Sequence, residues 1–274
     1  MKKVLTIAGS DSCGGAGIQA DLKSFSANGV YGMSVITAIT AQNTMGVFAV
    51  QDLEPEIIKA QIDAIFTDID VDAVKIGMVS SISTINVISE KLEQYKPKNI
   101  VLDPVMISKS GYSLLKPESK SALIKKLIPL ASLITPNVPE AEEILEEVNS
   151  GIGHIETVED MEKAVREMHK LGCKNILLKG GHMQGDAIDV FYDGKEMLHF
   201  TSERINTKNT HGTGCTLSSA IAANLALGFS MKESIKKSKL YITIAIKHSL
   251  DIGHGVGPTN HFYELYKKAG IAND

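Results

Sequence analysis

VLTIAGSDSCGGAGIQADLKSF, residues 4–25, opens on a short apolar run, VLTIA at 4–8, passes through a glycine-rich loop and enters a helix. The same apolar grammar returns in VITAIT at 35–40, AVKIG at 73–77, NIVLDPV at 99–105, LITPN at 133–137 and NILLKGG at 175–181. Between these runs lie PEIIKAQIDAIF at 55–66, STINVISEKLEQY at 83–95 and VEDMEKAVREMHKLG at 158–172. Their apolar residues recur at i, i+3, i+4 and i+7, the period of a helix with one buried face. Strand and helix in alternation predict an α/β fold whose strands bury both faces under helices. DAIDVFYDGKEMLHFTS at 186–202 departs from this pattern. It alternates apolar and polar residues around Asp193-Gly194, a favoured turn pair, and predicts an antiparallel edge hairpin. Three helical stretches follow, beginning near Thr213, Met231 and Pro258.

The chain has 274 residues, a length that accommodates one large α/β domain or two smaller ones. No Ser/Pro/Gly-rich linker, composition shift or internal repeat divides it, so one domain over 1–274 is expected. The apolar run within Met1–Ile7 is too short for a signal peptide or a membrane span, which predicts a cytoplasmic protein. The three cysteines, Cys13, Cys173 and Cys215, form no CxxC pair and no zinc-type spacing, so neither a disulfide framework nor a zinc site is expected. Cys173, just before a strand, reads as structural. A net charge of −4 with dispersed lysines and arginines offers no stripe for a nucleic acid and no patch for a membrane. An anionic small molecule stays open, because backbone N–H groups and a divalent cation can supply the local field.

In open α/β sheets ligands bind beyond the carboxyl ends of the strands, and the chemically unusual residues of this chain fall there. Asn209-Thr210-His211-Gly212-Thr213-Gly214-Cys215-Thr216 leads into the small-residue helix LSSAIAANLALG. Gly212 and Gly214 let a ligand approach the backbone, and the free N–H groups of the first turn form an anion site. Cys215 lies in that turn, where the helix dipole is expected to lower its thiol pKa to roughly 3.5–7.5. The plainer reading is a turn that packs a helix on the sheet and a cysteine that fills space. The loop at Ala8–Asp21 has GGxG rather than GxGxxG, and no acidic residue ends the second strand, where Thr40-Ala41-Gln42-Asn43 stands, so dinucleotide binding is weakly supported. GxxxxGK[ST] is absent, which excludes a P-loop. Asp103, at the end of NIVLDPV, and Glu140, after LITPN, suit Mg²⁺, although a turn aspartate and a first-turn helix acid account for them equally well. Lys179, before Gly180 and Gly181, is placed to meet a phosphate or simply to be solvated.

Taken together, the chain resembles the hydroxymethylpyrimidine and phosphomethylpyrimidine kinases, a branch of the ribokinase-like superfamily. Besides residues 4–25, the segments that carry the resemblance are YGMSVITAITAQNT at 31–44, KIGM at 75–78, LDPVM at 102–106, TPNVPEAE at 135–142, LLKGGH at 177–182, NTHGTGCTLSSAIAANLALG at 209–228 and GHGVGPTNHF at 253–262. The resemblance implies a three-layer α/β/α ribokinase-like fold with a mostly parallel sheet, ATP and Mg²⁺ as co-substrates, and a homodimer. It implies a pyrimidine pocket at Gly9, Asp21, Gln42, Met78 and Val105, with the Gln42 amide on the aminopyrimidine. Asn137, Glu140 and Lys179, with Gly180 and Gly181, fall at nucleotide and metal positions, beside Asp103. Gly212, Thr213 and Gly214 form the anion hole, and Cys215 stands where most sugar kinases of the superfamily carry Asp. The implied reaction phosphorylates hydroxymethylpyrimidine and then its monophosphate.

A pyridoxal or pyridoxine kinase of the same superfamily is the nearest rival. Relatives of that kind carry a second cysteine after DPVM, where this chain reads Met106-Ile107-Ser108-Lys109, and they tend to lack Ala41-Gln42-Asn43-Thr44. A non-catalytic pyrimidine binder is disfavoured by the presence of Asp103, Glu140 and Cys215. A cysteine hydrolase would need a histidine beside Cys215, and only His211, rather than His182 or His254, is near it in sequence.

Overall fold

The computed structural model describes residues 1–107, 111, 114–181 and 185–271. The strands are β1 (Lys3–Asp11), β2 (Tyr31–Asn43), β3 (Gly46–Asp52), β4 (Ala73–Ile76), β5 (Ile100–Leu102), β6 (Leu133–Ile134), β7 (Ile176–Leu178), β8 (Ala187–Tyr192) and β9 (Met197–Ser202). They form a single sheet in the order β3-β2-β1-β4-β5-β6-β7-β8-β9. The pairs from β2 through β7 are parallel. β3 runs antiparallel to β2 at one edge, and β8 and β9 close the other edge as a hairpin. The helices are α1 (Gly17–Ala27), α2 (Pro55–Phe66), α3 (Ile82–Tyr95), α4 (Lys120–Ala122), α5 (Val138–Glu147), α6 (Val158–His169), α7 (Thr213–Ala226), α8 (Met231–Lys247) and α9 (Tyr263–Lys268).

Alternation along the strands divides the interior into two cores. Leu5, Ile7, Val74, Ile76, Ile100, Leu102, Ile134, Ile176 and Leu178 face Ile58 and Ile62 of α2, Ile85 and Ile88 of α3, Ile144 of α5 and Val165 of α6. Their neighbours Val4, Ala73, Val101, Leu133 and Leu177 face Phe25 of α1, Leu217 and Ile221 of α7 and Ile242 of α8. Successive side chains of a strand point to opposite faces, so a sheet apolar at every position is covered on both sides. The result is the expected three-layer α/β/α sandwich. Every residue of α7 from Thr216 to Ala226 is buried, and Ala220, Ala222, Ala223 and Ala226 keep its surface thin enough to lie flat beneath α8 and against α1.

Several elements depart from the sequence expectations. The edge strand β3 was not foreseen, because GVFAVQD buries neither face and so carries no core signal. Three strands are shorter than their apolar runs: β5, β6 and β7 stop before Asp103, Thr135 and Lys179, which are thereby released beyond the sheet. The last helix begins at Tyr263 rather than near Pro258, which instead bridges to His211. Residues 117–130 wind through 3-10, α and π turns that no single period describes. The Asp193-Gly194 turn stands as read: Gly194 has φ +88°, and Asp193 Oδ1 accepts from the N–H of Lys195 and of Glu196 at 2.9 and 2.7 Å.

The chain runs from β1 to β2 on one side and later to β4 on the other, so the sheet's switch point lies between β1 and β4. The loops after these two strands border the crevice described next. Far from it, Thr157 caps α6: its Oγ1 accepts from the Asp160 N–H at 3.1 Å, and the Asp160 carboxylate accepts from the Thr157 N–H at 3.2 Å. Thr157→Ala is expected to lose about 1 kcal/mol of stability in urea unfolding, with catalysis unaltered.

Candidate active site

A cavity of about 620 Å³ opens at the carboxyl ends of the strands. At the β1, β2 and β4 end its wall includes Gly9, Gln42, Met78, Val105 and Met106; at the β7 to β9 end it includes Gly181, Ser202, Ile205, Ile242 and Ile246. Between them lie Asp103, Asn137, Glu140, Lys179 and the turn Gly212–Cys215. A Cβ on Gly9 would sit 3.0 Å from the Met78 sulfur, so the bare glycine is what lets Met78 pack against the strand end.

The turn before α7 is built by contact with a loop 200 residues earlier. Gly212 caps α7 at φ +78°, a conformation that favours glycine, and a Cβ there would land on the Gly15 carbonyl oxygen. A Cβ on Gly15 would in turn overlap the His211 ring. Thr213 Oγ1 ties the turn to the Thr210 carbonyl at 2.8 Å. The N–H groups of Gly214 and Cys215 find no acceptor among the described residues, as the opening of a helix requires. Together with the dipole of α7 they form an anion cradle.

Beneath this cradle lies a buried ion pair. Lys179 Nζ donates to Asp103 Oδ1 at 2.7 Å, which also accepts from Thr135 Oγ1 at 3.0 Å. A side chain on Gly214 would press on both Lys179 Nζ and Asp103 Oδ2. Burial would raise the Asp103 carboxyl, but the charges of Lys179 and Lys75 and the hydrogen bonds of Lys179 and Thr135 bring it below the usual range. Glu140 is the third residue of α5, and its carboxylate accepts from the Asn137 N–H at 2.8 Å while Asn137 Oδ1 accepts from the Glu140 N–H at 2.9 Å. This capping box orients both residues at the cavity wall. Burial, aided by the Asp103 charge, raises the Glu140 carboxyl to about 7 against the pull of Lys179.

Two residues expected in the site stand outside the cavity lining. Asp21 is fully buried one layer behind it, where it accepts from Lys75 Nζ at 2.9 Å, Thr6 Oγ1 at 2.6 Å and Ser219 Oγ at 2.5 Å. It positions Lys75, which does line the cavity. Gly180 turns its N–H to Asp189 Oδ1 at 3.1 Å, and a Cβ there would overlap the Ile188 carbonyl, so it serves the junction of β7 with β8. Its neighbour Gly181 faces the cavity. His182 and most of the lid stretch Ile107–Leu115 lie outside the described residues.

The expected low pKa of Cys215 is overturned. Burial pushes the thiol up to about 11, and the negative charges of Asp21 and Asp103 add to it. Lys75 and the Gly17 N–H, which donates to the sulfur, pull the other way and are outweighed. Desolvation of a thiolate in this pocket costs more than one helix end returns.

Three residues with no assigned role from the sequence belong to the site. Lys75 was part of a quoted motif, but its burial against Asp21 is a tertiary fact. Asp11 and His211 were likewise in view, 200 residues apart, and they meet at 2.8 Å. His211 thus turns to Asp11, which leaves the hydrolase reading without its Cys–His pair. Asp11, Cys13 and His211 offer ligand atoms within 4.8 Å of one another, yet both Asp11 oxygens already accept N–H groups. Cys173 is buried with its Sγ 3.4 Å from the Ala131 carbonyl oxygen, in keeping with a structural role.

Comparison with known proteins gives one family by sequence, and structures of that family and of a pyridoxal kinase by fold. The family model described as "Phosphomethylpyrimidine kinase" matches residues 11–260. A hydroxymethylpyrimidine/phosphomethylpyrimidine kinase of Rhizobium meliloti is 50% identical over 266 residues, covering 96% of this chain and 98% of that protein. The crystal structure of phosphomethylpyrimidine kinase from Clostridium difficile is 57% identical, with a TM-score of 0.80, and covers 90% of this chain and 100% of that one. An ADP complex of Bacillus subtilis pyridoxal kinase is 42% identical, with a TM-score of 0.88, over 96% and 98% of the two chains.

Two measurements check the electrostatics. Asp21→Asn leaves Lys75 buried without its counter-charge and is expected to cost about 3–5 kcal/mol, whereas Asp21→Leu with Lys75→Met recovers most of that loss in denaturant unfolding. Alkylation of Cys215 by iodoacetamide is expected to rise about tenfold per pH unit from pH 7 to 10 without a plateau, since the thiol stays protonated below its raised pKa.

Proposed function

The chain belongs to the phosphomethylpyrimidine kinase family, and on that premise we propose that it transfers the γ-phosphoryl group of ATP to hydroxymethylpyrimidine and then to its monophosphate, in thiamine biosynthesis. The observation that carries this reading is the meeting of free Gly214 and Cys215 amides with the Lys179–Asp103 pair in one cavity. Such an arrangement matches a group transfer in which negative charge develops on a phosphoryl oxygen.

The pyrimidine lies among Gly9, Gln42, Met78 and Val105, with its hydroxymethyl group toward Cys215. The triphosphate runs past Asn137, Lys179 and Gly181 toward the Gly212–Cys215 turn, and the apolar wall of Ile205, Ile242 and Ile246 takes the base. Lys179 is held by Asp103, so its charge is in place before ATP arrives. The N–H groups of Gly214 and Cys215 receive the charge on the transferring group, and Gly212 and Thr213 fix the turn that aims them.

Cys215 holds its proton in the free enzyme, so it acts first as a positioning contact for the substrate hydroxyl. In a loose phosphoryl transfer the nucleophile keeps its proton until late, and little basicity is demanded of the residue that orients it. A thiol that already holds its proton cannot take a second, so the hydroxyl proton leaves late, onto an oxygen of the transferred phosphoryl group, while Lys75, which lines the cavity, adds positive charge nearby.

Asp103 and Glu140 fit a magnesium ion of the kind bound mainly by phosphates and water. Among the described residues the donors to Asp103 fall on Oδ1 and none takes Oδ2, and Glu140, whose carboxyl burial raises with a smaller contribution from the Asp103 charge, lines the same cavity. A magnesium ion held there would neutralise charge between adjacent phosphates. We further infer that the chain acts as one catalytic domain and as a cytoplasmic homodimer. The exposed Ile39, Met45 and Phe48 at the β2–β3 edge support a second copy there, and among the described residues no helix is long and apolar enough to cross a membrane.

The test is ATP-dependent phosphorylation of hydroxymethylpyrimidine, its monophosphate and pyridoxine by the purified protein, with Mg²⁺ and with chelator. Both pyrimidines are expected to turn over faster than pyridoxine, chelation to abolish turnover, and Cys215→Ala to lower kcat by at least about 10²-fold. Preference for pyridoxine would favour the activity of the pyridoxal kinase whose fold the chain shares, and undiminished Cys215→Ala turnover would remove the cysteine from the mechanism.

A further inference from the structure

We propose that Asp11 and His211 are positioning residues that fix which way round the Gln42 side-chain amide faces, and through it which heterocycle the enzyme accepts. The inference rests on the reading of Gln42 as the group that meets the substrate ring.

The argument starts at the Asp11 carboxylate. Oδ1 accepts from the Cys13 N–H at 2.8 Å, and Oδ2 accepts from the Gly15 and Ala16 N–H groups at 3.0 and 2.8 Å. A carboxylate gripped by three backbone donors is ionised and can only accept. Burial opposes this, but the His211 hydrogen bond and charge, with the Ala16 and Cys13 N–H groups, bring its pKa below the usual range.

His211 Nε2 lies 2.8 Å from Asp11 Oδ2, so that nitrogen must carry the proton. The Gln42 side-chain nitrogen is placed 3.2 Å from the same Nε2, which sets two N–H donors against each other. A protonated Nε2 has no lone pair to offer, and the only Gln42 atom that can face it is the oxygen. Turning the amide end for end removes that clash and brings its nitrogen to the position, 3.4 Å from Thr40 Oγ1, where the oxygen is placed. That hydroxyl donates its own hydrogen to the Ser10 carbonyl at 2.7 Å and keeps a lone pair free to accept. The one Nε2–H then points chiefly to Asp11 Oδ2 and is shared weakly with the Gln42 oxygen, whereas the reverse orientation sets two N–H donors face to face.

The direction matters at the cavity, which Gln42 and His211 both line. A fixed amide presents its acceptor and donor in one order. An aminopyrimidine offers an exocyclic N–H donor beside a ring-nitrogen acceptor, and meets that order with two hydrogen bonds. A pyridine bearing a hydroxyl has no such adjacent pair, and it leaves amide groups unpaired, which is the strongest basis for discrimination in a polar pocket. Gly15 belongs to the device as well, since any side chain there would displace the His211 ring.

A double-mutant cycle reads the proposal as a selectivity, the ratio of kcat/KM for hydroxymethylpyrimidine to that for pyridoxine. His211→Phe keeps a ring but removes the N–H, and is expected to lower the ratio about tenfold, the scale of one hydrogen bond. In a Gln42→Met background the same change is expected to move the ratio less than about twofold, and His211→Gln, whose amide N–H can replace Nε2–H, to restore part of it. A purely structural role would lower the ratio equally in both backgrounds, and that result overturns the proposal. Should thermal unfolding reveal that His211→Phe does not fold, Asp11→Asn is read in the same cycle with the same two outcomes. A parent enzyme that prefers pyridoxine overturns the functional reading instead, and is seen before any variant is made.

Discussion

The contact on which the rest of the site depends is the seating of Gly212 against the Gly15 carbonyl. It joins the loop that follows β1 to the turn that opens α7, and neither position accommodates even a methyl group. Gly212, held at φ +78°, opens α7, whose first free amides belong to Gly214 and Cys215, residues that line the cavity. The same closeness brings His211 onto Asp11 and brings the Gly17 N–H to the Cys215 sulfur. One backbone-to-backbone contact thus sets the anion cradle, the thiol and the groups around Gln42 relative to each other.

Charge placement follows a second rule, in which each cation at the site is anchored before a ligand arrives. Lys75 is held by Asp21 and Lys179 by Asp103, so neither has to search for its position. Such pairs contribute little to stability, because removing both charges from water offsets most of their attraction. They contribute geometry. The Cys215 thiol illustrates the reverse case: an acid with no anchored partner of its own takes on whatever state burial imposes, and here burial exceeds the dipole of α7.

The strands and long helices were legible because two periods, 2.0 and 3.6, leave different marks on apolar residues. α2 matches the segment 55–66 end to end. β3 was hidden because a strand exposed on both faces leaves no such mark, and residues 117–130 because mixed turns have no period. Most of the residues that line the cavity were legible because they sit where apolar runs end. What the sequence withheld was direction: Asp21 and Gly180 share motifs with cavity residues yet point elsewhere, and Asp11 and His211 become partners only through a fold that spans 200 residues. Side-chain orientation is decided by packing on the far side of an element, and linear spacing does not carry it.

The separation in chain between the two halves of that contact also has a temporal side. A ribosome adding about 5–20 residues per second needs roughly 10–40 s to travel from Asp11 to His211. During that interval β1, β2 and β4 can assemble and Lys75 can find Asp21, but the free amides that open α7 do not yet exist, and the Asp21 contact from Ser219 is still missing. The nascent chain therefore carries a half-formed pocket with an open face, covered only when α7 emerges. A chain cut short before α7 would hold all nine described strands and the cavity residues Asp103, Glu140 and Lys179, but neither Gly214 nor Cys215.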